Sequence, residues 1–147
     1  MSVLRKLNIL FFACIVMYAG CVYNYPVLSD KFSAIQKQVF NKRCLGACHT
    51  GDLSDPSPPK AQLPLQSDSA YSQLLYNHIL QDSARVSQYP ALVVPFHPES
   101  SYLVFKLTLP ENNDVDGDYM PNNNTGHLPQ EQIDAVISWI KRGAPKD

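Results

Sequence analysis

Cys44-Leu45-Gly46-Ala47-Cys48-His49 places two thiols and an imidazole within six residues, at the end of a segment whose apolar residues repeat with helical period. Upstream, Ser29 or Asp30 is placed to cap a helix whose inward face is Phe32, Ile35, Val39 and Phe40, and this helix runs directly into the cysteines. Downstream, Thr50 to Pro64 holds four prolines together with Gly51, Asp52, Ser54, Asp55 and Ser57. No helix accepts that composition, which predicts an ordered loop. A helix that delivers such side chains into a loop points to a mainly α protein, and the remaining segments agree.

A second helix is predicted from Ser69 to about Leu80, with Tyr71, Leu74, Leu75 and Ile79 on one face. After an extended segment from Ala91 to Pro95, a third is predicted to begin near Pro98 and to carry Leu103, Phe105, Leu107 and Leu109. Proline suits a first helical position, where its missing N–H has no intrahelical acceptor to lose. Pro110 to Gly126, rich in Asn, Asp and Gly, reads as a long loop, and loops of that length inside compact domains are usually functional. The last helix is predicted from about Pro129 to Arg142, with Ile133, Val136, Ile137 and Ile140 as its apolar stripe and Gly143 as its stop. Trp139, Tyr71, Tyr76 and Tyr102 read as aromatics of the core or of a pocket. There is no internal repeat and no strand pattern.

A length of 147 residues fits one domain. Its first residues read as a leader: Arg5 and Lys6 form a basic start, Leu7 to Met17 an apolar run, and Tyr18-Ala19-Gly20-Cys21 a small-residue cleavage site. The pattern resembles a bacterial lipoprotein signal. That resemblance implies removal of residues 1–20, a lipid on Cys21, a tether over residues 21–28 and a domain over residues 29–147. Tyr18 departs from the pattern, in which an aliphatic residue is commoner. The alternative is an uncleaved anchor, although the apolar run is shorter than the roughly 20 residues of a membrane span. Either reading places the domain outside the cytoplasm, and the lipoprotein reading places it in the periplasm on a bacterial membrane. Loss of Arg5 and Lys6 leaves ten basic against thirteen acidic residues, a net charge of −3, and no basic stripe of the kind a phosphate backbone requires. Nucleic acid is therefore excluded as a partner.

Cys14 belongs to the leader and Cys21 takes the lipid, so Cys44 and Cys48 are the thiols of the remaining domain. Two cysteines followed at once by histidine form the haem attachment motif C-x-x-C-H, in which the thiols make thioethers and the histidine binds iron. Here three residues separate the cysteines instead of two. A bulge at Gly46, the residue best able to take unusual backbone angles, absorbs the addition, and His49 keeps its place directly after the second cysteine. Two other readings stay open. One is a disulfide between Cys44 and Cys48, which an oxidising compartment favours but which four-residue helical spacing strains. The other is a zinc site, which usually wants four well-spaced ligands.

An iron that carries electrons without binding a substrate needs a second axial ligand, and a thioether opposite histidine raises its potential. Met120 is the candidate: it is the methionine left after the leader, it lies in a polar loop, and Pro121 stiffens that loop. Core packing is the alternative for such a methionine. His78, His97 and His127 are the competing ligands, with His127 nearest to Met120 in sequence. The run Asn112 to Asp118 has oxygen side chains at alternate positions and glycine at the sixth, as a calcium loop does. Its twelfth position is Asn123 instead of glutamate, which favours a solvated turn.

Val39-Phe40 through Cys44 to His49, Tyr71 to Leu75, Val93-Val94-Pro95, Pro98 to Leu103, Met120-Pro121, and Ile133 to Ala144 with Trp139-Ile140 and Gly143-Ala144 follow in that order. In this order they resemble the small bacterial cytochrome c domains of the planctomycete type, over nearly all of the mature chain. Phe96-His97 departs from the Gly-Asp common after the proline. The resemblance implies a class I cytochrome c-like fold of about four helices around one covalently bound haem c. It further implies thioethers at Cys44 and Cys48, His49 as proximal and Met120 as distal iron ligand. The function it implies is that of an electron carrier, not an enzyme, passing single electrons between redox partner proteins. The alternative is a haem-free lipoprotein of similar fold, a binding or envelope-structural module with a Cys44–Cys48 disulfide. A third reading is a catalytic or sensory haem protein from whose iron Met120 dissociates.

Overall fold

Phe32, Ile35, Val39 and Phe40 are all buried, as their spacing predicts, on one face of the helix that leads into the cysteines. The computed structural model describes residues 27–46, 48–51, 63–76, 88–110, 118–122 and 126–147. The leader, Cys21, His78, most of the proline-rich loop and Asn112 to Gly117 lie outside the described residues. Leu28, assigned to the tether by sequence, packs against the core.

Helix α1 begins at Phe32–Ile35 and continues without a break into a π-wound stretch, Gln36–Cys44. The last hydrogen bond of that stretch runs from Leu45 N–H to Phe40 O at 3.1 Å, a five-residue step. Neither Ser29 nor Asp30 caps α1. The first-turn N–H groups, which have no acceptor in their own helix, take one from the far end of the sequence. Phe32 N–H donates to Asp147 Oδ1 at 2.8 Å, and Ser33 N–H donates to Asp147 O at 2.9 Å. Asp30 is engaged elsewhere, since Arg142 Nε donates to its Oδ2 at 2.9 Å and Ser138 Oγ to the same atom at 3.2 Å.

Helix α2, Ala70–Tyr76, starts one residue after the predicted position. The segment expected to continue to Leu80 lies outside the described residues. Ala70 and Leu74 face the core.

The third predicted helix is two pieces. Pro98–Ser100 makes one 3-10 turn, Ser101 is extended at φ −92 and ψ 119, and α3 spans Tyr102–Thr108. Ser101 breaks the run because a neighbouring segment claims its backbone. It forms a parallel bridge with Ala91, and Tyr102 N–H and Leu103 N–H donate to Ala91 O and Leu92 O. The Ser101 hydroxyl, fully buried, accepts from Val94 N–H at 2.9 Å and donates to His97 O at 2.9 Å. Leu109, expected on the helix, lies past its end at ψ 138, as a residue before proline must.

Helix α4, Gln130–Lys141, follows Pro129 and ends where Gly143 turns to φ 93. α1 and α3 both pack on α4. Trp139 sits at the centre, fully buried, its ring 5.3 Å from that of Phe32, with Nε1 donating to Pro145 O at 2.8 Å. Tyr71 meets Phe32 edge-on at 5.1 Å, and its hydroxyl donates to Ala144 O at 2.9 Å. Fully burying a side chain such as Phe32 contributes roughly 1.5–3 kcal/mol. The protein is mainly helical, with no strand among the described residues beyond the Ala91–Ser101 bridge.

Candidate functional site

The π-wound end of α1 carries Cys44 into the core cluster, where Val39 and Phe40 are its sequence neighbours. Burial pushes its thiol up to about 12, against the opposing pull of the Arg43 charge. A thiol in that state is neutral and holds its proton. The chain leaves the helix at Leu45 and starts a new turn there. Cys48 N–H and His49 N–H both donate to Leu45 O, at 2.9 and 3.2 Å. Gly46 adopts φ 46 in this turn, and a methyl group built on it meets nothing within 4 Å, so the position requires glycine for its backbone angle and not for space. Cys44 is buried and Cys48 half-buried, and both are free thiols.

His49 is only 7% exposed. Its Nδ1 lies 2.9 Å from Leu63 O. A carbonyl oxygen only accepts, so Nδ1 carries the proton and Nε2 carries the lone pair. No hydrogen bond engages Nε2 among the described residues. Burial lowers the pKa of the ring below its ordinary value, with the Leu63 hydrogen bond acting the other way, which keeps the imidazole neutral. The backbone makes the same closure, because Leu65 N–H donates to His49 O at 2.9 Å. Gln66 Nε2 donates to Gly51 O at 2.9 Å. Residues 49–51 and 63–66 therefore form the neck of the proline-rich loop, and the imidazole is part of that neck.

Met120 is half-buried and packs against the same cluster that contains Cys44. Its N–H donates to Lys106 O at 2.9 Å, and the Met120–Pro121 peptide is cis. The segment after Met120 is tied to the residue before Cys44, since Arg43 Nη2 donates to His127 O at 3.3 Å. His127 stacks on Tyr119 with ring centroids 4.2 Å apart. His97 points to the surface and pairs with Glu99 at 3.0 Å. Among the described residues no group of three or more His, Cys, Asp or Glu side chains could hold a metal ion, which leaves the zinc reading without a ligand set there. The suspected calcium run is outside the described residues except for Asp118, which is exposed.

Two partners of the site escaped the sequence reading. The Leu63 carbonyl has no side-chain signature, because any residue offers a carbonyl. Gln36 is different: it lies four residues after Phe32 on the inward face of α1 and is 6% exposed. A polar residue in phase with an apolar stripe was a legible signal.

No family model, no curated protein and no solved structure matches the chain.

Proposed function

We propose that the protein is a monohaem c-type cytochrome that carries single electrons between redox partners, held to a bacterial membrane in the periplasm by a lipid on Cys21. The observation that carries this reading is His49. An iron ligand of the histidine type needs a neutral ring, a lone pair on one nitrogen, and a partner on the other that fixes tautomer and orientation. His49 is buried, neutral and committed at Nδ1 to Leu63 O at 2.9 Å. It directly follows Cys48, with Cys44 four residues before that cysteine.

Haem supplies the one-electron chemistry when bound. The chain supplies the rest. Cys44 and Cys48, both free thiols, are the residues that would hold the haem covalently, each through a thioether to a vinyl group. His49 offers Nε2, and Met120 offers a thioether on the same core as Cys44. With His49 and Met120 as its two protein ligands, the iron would pass electrons without binding a substrate, as a carrier and not an enzyme.

The test is expression of the full chain in a periplasm equipped with haem-attachment machinery, followed by haem staining of a denaturing gel. A stained band is expected. A colourless band, under conditions that mature a control cytochrome, sinks the proposal. Met120→Ala is expected to change the spectrum and lower the midpoint potential, and an unchanged pair of readings removes Met120 as a ligand. Cys21→Ala is expected to release the protein from membranes without detergent, and release of the unaltered protein overturns the lipid anchor.

A further inference from the structure

In an α-helix, side chains meet at three- and four-residue spacing, and a residue five positions on is turned away. A π-wound stretch brings positions i and i+5 into line, is rare, and recurs at functional sites. Gln36 and Asn41 stand five apart in the π-wound stretch Gln36–Cys44. Gln36 Nε2 donates to Asn41 Oδ1 at 2.7 Å, a contact at the five-residue spacing that π-winding favours. The same amide nitrogen donates to Leu65 O at 2.9 Å. Asn41 Nδ2 in turn reaches Ser67 Oγ at 3.3 Å. The two amides thus grip residues 65–67 at one end of the loop neck whose other end is His49. Leu65 donates its own N–H to His49 O, and Leu63, two residues before it, accepts from His49 Nδ1.

Gln36 is also 6% exposed, and its Oε1 has no hydrogen-bond partner among the described residues. Packing alone would favour leucine at such a site. A buried amide with one end unsatisfied is retained where its other end does something packing cannot.

We propose that Gln36 and Asn41, set in register by the π-winding of α1, are positioning residues that hold the loop neck and through it the ring of His49. The function assigned to that ring rests on the cytochrome reading, whereas the positioning itself concerns the chain alone. The π-wound stretch is then a working part of the site and not merely the helix that precedes it.

The experiment uses the purified full chain with Gln36→Leu, Asn41→Ala and, as control, Ser101→Ala, which removes a buried hydroxyl remote in sequence from the neck. Ring 15N shifts of His49 report which nitrogen carries the proton, and amide exchange of Leu65 reports the neck. Gln36→Leu is expected to mix the two tautomers and to speed Leu65 exchange by roughly two- to tenfold, about the factor one net hydrogen bond sets. Asn41→Ala, at an exposed position, is expected to act in the same direction more weakly, and it serves if Gln36→Leu does not fold. Ser101→Ala is expected to leave the tautomer of His49 unchanged. In haem-loaded protein the weakened Nδ1 hydrogen bond makes the imidazole a poorer electron donor, so the midpoint potential rises in Gln36→Leu and not in Ser101→Ala. The proposal is overturned if Gln36→Leu and Asn41→Ala leave the tautomer and exchange as in the unaltered chain, or if Ser101→Ala moves them as far. Absence of haem from the unaltered chain would overturn the cytochrome reading while leaving the tautomer and exchange results to decide the positioning.

Discussion

Cys44 and Cys48 are chemically alike in sequence and unlike in the fold. Cys44 is buried with its thiol pushed up to about 12, and Cys48 is half-buried. Burial disfavours the reactive thiolate of Cys44 and shields its sulfur, so alkylation of the haem-free chain by iodoacetamide is expected at Cys48 well before Cys44. Peptide mapping by mass spectrometry reads the order, and equal labelling at early times would contradict the burial of Cys44. His49 was legible as a candidate ligand from its place after Cys48. Its tautomer was not, because that depends on a carbonyl fourteen residues away. Gln36 shows the opposite failure, since its inward phase on α1 was visible but its partners, Asn41 and Leu65, required the actual winding of the helix.

At the scale of elements, helical stripes located α1, α2 and α4, whereas caps and breaks followed contacts made at long range. The cap of α1 is the clearest case. Asp147 holds its carboxyl below the ordinary value of 3.8, chiefly because it accepts from Phe32 N–H, with Arg142 adding to the effect. Between the ordinary and the depressed value the unfolded chain binds more protons. The stabilisation is therefore complete above the ordinary carboxylate range and is lost as pH falls through the depressed value. Asp147→Asn is expected to flatten that part of the acid dependence, measured as urea midpoints between neutral and acidic pH, and an unaltered slope would remove Asp147 from the account. The stop of α4 gives a second prediction. Gly143 sits at φ 93, and a methyl group there would lie 2.5 Å from Phe96 Cζ. Gly143→Ala is expected to destabilise by about 1–2 kcal/mol in thermal melts. Phe96, itself at φ 70, is the side chain such a methyl group would meet. Phe96→Gly is thus expected to recover part of the Gly143→Ala loss, and strict additivity in the double variant would show that the ring moves aside freely.

Across the whole molecule, one aromatic centre and one clasp hold distant parts of the sequence together. Trp139 packs on Phe32, Tyr71 touches both Phe32 and Ala144, and Arg142 joins Asp30 to Asp147 at 2.9 and 3.1 Å. Trp139→Ala, which empties the centre and strands the Pro145 carbonyl, is expected to cost about 3–5 kcal/mol in urea unfolding. A loss below about 1 kcal/mol would show that the centre lies elsewhere. Arg43 does a comparable service at the site, joining the His127 segment to the Cys44 turn. The sequence by itself determined the mainly helical class, the faces that pack inward and the stop at Gly143, because periodicity and glycine geometry are local properties. Only the tertiary structure decided the π-winding of α1, the break at Ser101, the cap from Asp147 and the proton on Nδ1 of His49. Each of these is settled by which backbone group packing brings within hydrogen-bonding reach, and backbone groups look alike in every sequence.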